Sequence, residues 1–233
     1  MGKRIISQAR GKGGPRYRTR KKAFKLNITY PNEEGIGKVV KLLNVPCYSA
    51  PIAKIELNGK TFYNIAAQGM YEGQEIGVCK GVLTDGSIMK LKDLPVGTNI
   101  FCIETKPGNG PKLVRASGTF ARITRKDEKG VYVLLPSKKE KLINPEARAT
   151  IGIVAAGGRV EKPILKAGKK YHMMKAKGGR VYPRTSAVKM NAVDHPFGSG
   201  RGKRIKSKIA KKFAPPGRKV GLIRPRRTGR KKK

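Results

Sequence analysis

Charge is distributed along this chain in three blocks, and that distribution limits what can fold. Residues 1–22 carry 9 basic and 0 acidic side chains, residues 23–168 carry 22 and 13, and residues 169–233 carry 23 and 1. A polycation repels itself and has too little apolar surface to offset the loss of chain entropy, so neither end is expected to fold alone. Only the centre approaches a globular composition. The formal net charge of +40 calls for a polyanion that orders the two ends.

Nucleic acid is the polyanion the pattern favours. No run approaches the roughly 20 apolar residues of a membrane span, and the N-terminal stretch lacks the apolar block of a secretory signal. A membrane-surface helix would need an apolar face. Ile205, Ile209 and Phe213 have helical spacing, but Pro215, Pro216 and Gly217 stop that helix after a few turns and Pro225 prevents another. A cytoplasmic location without membrane contact follows as the expectation. Cys47, Cys79 and Cys102 are odd in number and widely spaced, which fits neither a disulfide framework nor a zinc site and suggests buried thiols in a reducing compartment.

The centre reads as β structure. Ala53, Ile55 and Leu57 alternate with Lys54 and Glu56, and Asn58-Gly59 follows directly. Alternation interrupted by Asn-Gly signals a hairpin, because both turn residues tolerate positive φ. The return strand is expected at 61–65, and further strands at 74–78, 88–91, 99–104, 118–125, 131–135 and 150–155. With 29 Gly and 15 Pro and no Trp, short strands separated by tight turns suggest small barrels, the first at about 35–85 and the second at about 86–160. A helix after Pro163, using Ile164, Leu165, Tyr171, His172, Met173 and Met174, is expected to close the second module, with His172 packed. Beyond Gly178 no core is apparent.

Gly-rich basic stretches recur at Gly11 to Arg16, Lys106 to Lys112, Lys177 to Arg180 and Gly198 to Lys203. Glycine lets a backbone approach a crowded sugar-phosphate surface, while Arg and Lys meet phosphate oxygens. The competing reading is a solvated linker, which near-absence of acids makes less attractive. The last stretch does not match a nucleotide phosphate loop. That motif wants a glycine five residues before Gly202, where Phe197 stands, and Ser or Thr after Lys203, where Arg204 stands.

Helix-turn-helix, zinc-finger and basic-zipper patterns are missing, which argues against the usual duplex DNA readers. Small barrels with long basic arms suit irregular folded RNA. On the second module, Arg115, Arg122 and Arg125 are the expected barrel-face contacts; Arg122 sits between Ala121 and Ile123 and so points outward. Asp194, the only acid after Glu161, and His195 share the segment Asn191 to Gly198. An isolated acid in a polybasic arm caps a turn or pairs with a cation. His195 has no visible nucleophile or metal partner, so a structural hydrogen-bonding role outweighs general acid-base work.

Asp194-His195-Pro196-Phe197-Gly198, followed by its Gly-rich basic run, is distinctive. Together with Leu94-Pro95-Val96-Gly97, Lys106-Pro107-Gly108-Asn109-Gly110 and Ala116-Ser117-Gly118-Thr119, in this order along nearly the whole chain, it resembles the universal large-subunit ribosomal protein L-two family. The resemblance implies an all-β fold, an oligonucleotide-binding-type barrel followed by an SH3-like barrel, with basic extensions that penetrate ribosomal RNA. It further implies a primary ribosomal RNA binder supporting subunit association, transfer RNA binding and an organised peptidyl transferase centre. His195 matches the family histidine proposed, controversially, to assist peptide bond formation. Phe197 replaces a bacterial histidine, and Gly198 to Lys203 replaces the bacterial Gly-Gly-Gly-Glu-Gly-Arg. Those departures, with the absence of a long bacterial N-terminal extension, point to the archaeal branch and discourage transfer of bacterial metal-binding claims.

The expected organisation is therefore a basic extension at 1–34, the two barrels at 35–85 and 86–168, and a second extension at 169–233. RNA contacts are expected from Lys12, Arg16, Arg18 and Arg20 in the first arm and from Lys106, Lys112, Arg115, Arg122 and Arg125 in the centre. In the second arm they are Lys177, Arg180, Arg184, Asn191, Asp194, His195, Arg201, Lys203, Arg204, Arg218, Lys219, Arg226 and Arg227. Expected partners are large-subunit ribosomal RNA, neighbouring ribosomal proteins and small-subunit RNA at a subunit bridge. Neither cofactor, metal nor small-molecule substrate is implied. Two rivals remain: a general nucleic-acid-compacting protein, and an RNA-modifying enzyme using His195.

Overall fold

In a computed structural model, residues 2–18, 23–81, 83–176, 181–201 and 204–225 are described. The chain divides into two compact units, one of residues 21–167 and one of residues 1–20 with 168–233. The regular structure of the first is almost entirely strand. Its strands are β1 (Gly35–Leu43), β2 (Ile52–Leu57), β3 (Lys60–Ile65), β4 (Glu75–Val78), β5 (Ile88–Lys90), β6 (Asn99–Phe101), β7 (Ile103–Glu104), β8 (Pro111–Leu113), β9 (Ala121–Asp127), β10 (Gly130–Leu134), β11 (Glu140–Ile143) and β12 (Arg148–Ile151). Ten of them form one sheet in the order β11-β10-β9-β6-β12-β5-β4-β1-β2-β3, and β7 pairs with β8 separately. The fold is all-β, with two short α-helices among the described residues, α1 (Ile6–Lys12) and α2 (Ala167–Ala176).

The hairpin read from Asn58-Gly59 forms as expected. Both residues have positive φ, 49° and 75°, and β2 pairs with β3 through Ile55↔Phe62 and Lys54↔Tyr63. The strand expected at 99–104 is instead broken at Cys102, whose φ of 51° ends β6 and starts β7 in a different ladder. Nothing in a Phe-Cys-Ile run announces left-handed backbone. The expected strand 118–125 begins only at Ala121, because the preceding residues turn around Gly118, and β12 stops before Gly152, whose φ is +107°. Strand β11 went unread: Glu140, Lys141 and Leu142 are all exposed, so no period of two reaches the sequence.

Apolar side chains gather in two clusters. One is built around Ile52, Ile55, Ile65 and Ile76 and also takes Ile28 and Tyr30 from the chain before β1, with Phe101, Cys102 and Val154 from beyond β5. The other surrounds Leu91, Leu94, Ile100, Ile123 and Val133. A buried polar chain runs through the first: the Asn64 amide donates to Thr150 Oγ1 (2.9 Å), Thr150 and the Tyr30 hydroxyl lie 2.7 Å apart, and Tyr30 donates to the Cys102 carbonyl. Each hydroxyl thus both donates and accepts, which removes the cost of burying it. Burial raises the Tyr30 pKa and pushes the Cys102 thiol up to about 12. Cys47 and Cys79 are half-buried, so full burial of all three thiols is not observed.

The second unit brings together chain segments read from the sequence as separate arms. Lys3 N–H donates to the Val193 carbonyl at 2.8 Å, and the Lys3 ammonium lies 3.6 Å from Asp194. No buried member of either apolar cluster lies past Val154, and Val220 is the single buried apolar side chain among the described residues after Gly178, in keeping with the expectation that no core lies there. The helix read at Ile205, Ile209 and Phe213 is absent; Ile209 bridges to Ile223 and Phe213 is 90% exposed. Helix α2 forms but buries no residue, so it does not close a module, and His172 is exposed rather than packed. Tyr171 and Met174 are three apart and share one side of the helix, but Lys169, Lys170 and Lys175 surround them and no residue of the helix is buried.

Candidate nucleic-acid interface

Glu104 organises the basic loop that follows it. Its carboxylate is fully buried, accepts the N–H groups of Gly110 (3.0 Å) and Gly108 (3.4 Å), and receives Arg148 through Nη2 (3.1 Å), Nε (3.4 Å) and backbone N–H (3.0 Å). These donors replace the water that burial takes from the carboxylate. Gly108 and Gly110 adopt φ of +74° and +69°, which lets both amides turn inward. Lys106 and Lys112 flank the loop with exposed side chains. The arrangement presents two cations on a loop fixed from inside the core.

On β9 the alternation read from the sequence holds: Ala121 and Ile123 are buried and Arg122 is exposed. Arg122 Nε reaches Asn99 Oδ1 at 3.4 Å. The Arg125 guanidinium lies 4.0 Å from the ring centroid of Tyr132 on β10, a stacking contact that restrains a long cation without consuming its hydrogen-bond donors. Arg115 differs from expectation. It is half-buried, donates to the Pro111 carbonyl at 3.4 Å and faces the Tyr48 ring at 6.0 Å, so part of its donor fork is already occupied.

The segment 191–198 in the second unit is a compact double turn. Asp194 and His195 both donate backbone N–H to the Asn191 carbonyl, Gly198 donates to His195, and Ser199 donates to Met190. Any Cβ on Gly198 would lie 2.3 Å from the Asn191 carbonyl oxygen, so glycine is required there. Lys206 Nζ donates to the Gly198 carbonyl at 2.6 Å. His195 Nδ1 accepts the Phe197 N–H at 3.1 Å, which places the proton of the neutral ring on Nε2. Burial, and then the charge of Arg224, lower the His195 pKa. The neutral imidazole is thus a hydrogen-bond donor at its free edge and has no lone pair left there for a general base. Beside it, Lys3, Arg4, Lys189, Asn191 and Asp194 line an open cleft of about 410 Å³.

Lys12, Arg16, Arg18, Arg184, Asn191, Arg201, Arg204 and Arg218 are exposed and Lys219 is half-buried. Arg20, Lys177, Arg180, Lys203, Arg226 and Arg227 lie outside the described residues. Lys3, Lys206 and Arg224 were missed by the sequence reading, since nothing distinguishes them from the surrounding lysines and arginines. Glu104 had one available signal, a carboxylate three residues before a Pro-Gly-Asn-Gly turn.

The profile of the family described as Ribosomal Proteins L2, C-terminal domain, matches residues 84–216. That span contains the Glu104 loop, β9 and the 191–198 turn. The chain belongs to the ribosomal protein L2 family. It is similar over its whole length to archaeal proteins named large ribosomal subunit protein uL2. Identity is 44% with the one from Archaeoglobus fulgidus, covering 98% of this chain and 99% of the relative. It is 43% with that of Methanothermobacter thermautotrophicus and 45% with that of Methanocaldococcus jannaschii, each covering 100% of both chains. The archaeal type read from Phe197 and the following Gly-rich run agrees with these uL2 relatives.

Proposed function

We propose that this chain, a structural constituent of the large ribosomal subunit by its family, is a primary binder of large-subunit ribosomal RNA that acts as a scaffold in translation and not as a catalyst. The observation that carries this reading is the Gly-rich loop of residues 106–110, fixed by the buried Glu104–Arg148 pair so that Lys106 and Lys112 stand exposed beside it. A flexible linker would not be anchored to a buried carboxylate. Arg122 and Arg125 add cations on a rigid strand, and the two terminal segments add most of the positive charge.

In this reading residues 35–85 form an oligonucleotide-binding-type barrel, whose apolar cluster also draws in Tyr30, Ile88, Phe101 and Val154 from outside those bounds, and residues 86–168 form an SH3-like barrel around the second cluster. The arms enter crevices of the cytoplasmic ribosome's RNA, displacing condensed counterions as they order. Support of subunit association, transfer RNA binding, a bridge to small-subunit RNA and the organisation of the peptidyl transferase centre belong to the same proposal. His195 serves it as architecture. Its Nδ1 is occupied and its Nε2 carries the proton in the neutral ring.

The test is a salt titration of binding to a large-subunit ribosomal RNA domain, with DNA of equal length and an unrelated structured RNA as competitors. If the arms neutralise on the order of 10 phosphates, log affinity falls with log salt at a slope of about −7 to −9. Preference for the ribosomal fragment surviving at high salt supports the scaffold. Equal binding to all three makes a general nucleic-acid packer the better account.

A further inference from the structure

We propose that a cleft in the sheet unit, beside β6 and β12, takes one unstacked guanine of RNA, whose Watson–Crick edge is read by the Asp85 carboxylate. The proposal rests on the RNA-binding reading above and gives it a base-specific element. The cleft measures about 430 Å³, within the roughly 300–1,000 Å³ of small-ligand sites.

Its chemistry is unusual for a chain of net charge +40. No lysine or arginine lines it, and its one charged group is Asp85. A phosphate would meet a like charge there with no cation to offset it. The occupant favoured by the lining is neutral and donates hydrogen bonds. Among RNA groups these are base imino and amino hydrogens. Guanine alone presents an imino and an amino N–H side by side on its Watson–Crick edge, matching the two oxygens of a carboxylate. Adenine and cytosine offer only the amino group, and uracil only the imino. The Asn99 and Gln68 amides and the Thr98 hydroxyl in the same lining supply both donors and acceptors for the remaining polar atoms.

Three further features suit a nucleotide. Ile151 and Ile153 give the cleft apolar surface for the face of a base. Gly152 keeps room for the carboxylate: a Cβ on it would stand 2.9 Å from Asp85 Oδ1. The Gln74 amide donates to the Asp85 backbone carbonyl at 3.2 Å, which holds the turn while the carboxylate itself makes no hydrogen bond or ion pair among the described residues. Outside the lining, exposed Arg122 lies opposite Asn99 in the β6–β9 register, with its Nε 3.4 Å from Asn99 Oδ1, which helps hold that amide in place.

The experiment uses the full chain and RNA hairpins that differ only in one unpaired nucleotide: guanosine, inosine, which lacks the 2-amino group, or adenosine. The expected result is a preference of roughly tenfold for guanosine over both, abolished in Asp85→Asn, whose amide cannot accept two hydrogens. An unchanged denaturation midpoint shows that the variant is folded. Absence of a guanosine preference in the unaltered chain, or its persistence in Asp85→Asn, overturns the proposal. It is overturned equally if Asp85→Asn leaves all hairpins unaffected and instead weakens binding of an arginine-rich peptide, since the cleft then receives a basic protein segment. Steep, ribosomal-RNA-selective binding without guanosine preference would sink this inference alone, whereas loss of that selectivity would remove the scaffold reading itself.

Discussion

Arg148 clamps Glu104 in two parallel contacts, Nη2 to Oε1 at 3.1 Å and Nε to Oε2 at 3.4 Å, with the carboxylate wholly buried and the guanidinium nearly so. The third guanidinium nitrogen, Nη1, donates to the Pro31 carbonyl, and the guanidinium carbon lies 5.4 Å from the Tyr30 ring centroid. One pair therefore ties the chain before β1, strand β12 and the basic loop after β7 together. Glu104→Ala would leave Arg148 charged and unpaired and strip the acceptor from Gly108 and Gly110. We expect it to lower the unfolding free energy by about 3–5 kcal/mol, measured by urea denaturation of the full chain.

Cations on the sheet surface should behave in the opposite way. Arg122→Ala and Arg125→Ala remove exposed side chains, so stability should change by no more than about 0.5 kcal/mol. If each contacts a phosphate, each should reduce the salt slope of RNA binding by about 1. A salt titration of each variant against the unaltered chain checks this, and unchanged slopes would remove these residues from the interface.

Gly118 and Gly157 approach so closely that a Cβ on Gly118 would lie 2.5 Å from the Gly157 Cα, at a φ of +70°. Gly118→Ala must therefore displace backbone as well as accept a left-handed conformation. A loss of about 2 kcal/mol or more is expected in thermal unfolding. Gly59→Ala, whose added Cβ would meet open space at a φ of +75°, isolates the conformational part and should cost less.

His195 titrates below the usual imidazole range, because burial and then Arg224 disfavour its charged form. A folded pKa below the unfolded one means that the unfolded chain binds the extra proton first as pH falls. The associated stability is present above the unfolded pKa and is lost as pH drops through the folded value. NMR titration of the His195 ring should show the low pKa, and Arg224→Gln should raise it. A ring titrating at or above the ordinary value would contradict the partly buried, neutral imidazole.

Removing the Tyr30 hydroxyl tests the buried polar chain. In Tyr30→Phe, the Cys102 carbonyl loses its donor and Thr150 loses its neighbour, at a cost of about 1–3 kcal/mol in denaturant unfolding.

Local signals were legible where they were complete within a few residues. The β2–β3 hairpin needs only alternation and Asn-Gly, and Arg122 faces outward because Ala121 and Ile123 face inward. The left-handed turn at Cys102 was not legible, since nothing near it in sequence requires positive φ; the Val114 carbonyl that receives its N–H comes from β8's end of the fold. Helix α2 was read from its apolar residues, but its lysines outnumber any apolar face it can offer, and the helix stays exposed.

Charge pattern and motif order by themselves determined the class of partner, the all-β centre and the family, because electrostatic excess and turn chemistry are properties of the chain at short range. Only the tertiary structure decided that Glu104 is buried beneath the 106–110 loop, that the chain before β1 joins the first core, and that Lys3 meets the turn carrying His195. Those relationships join residues as far apart as Lys3 and Asp194. Many lysines, arginines and carboxylates are chemically equivalent along the chain, and long-range packing selects which of them are buried, paired or left facing a polyanion.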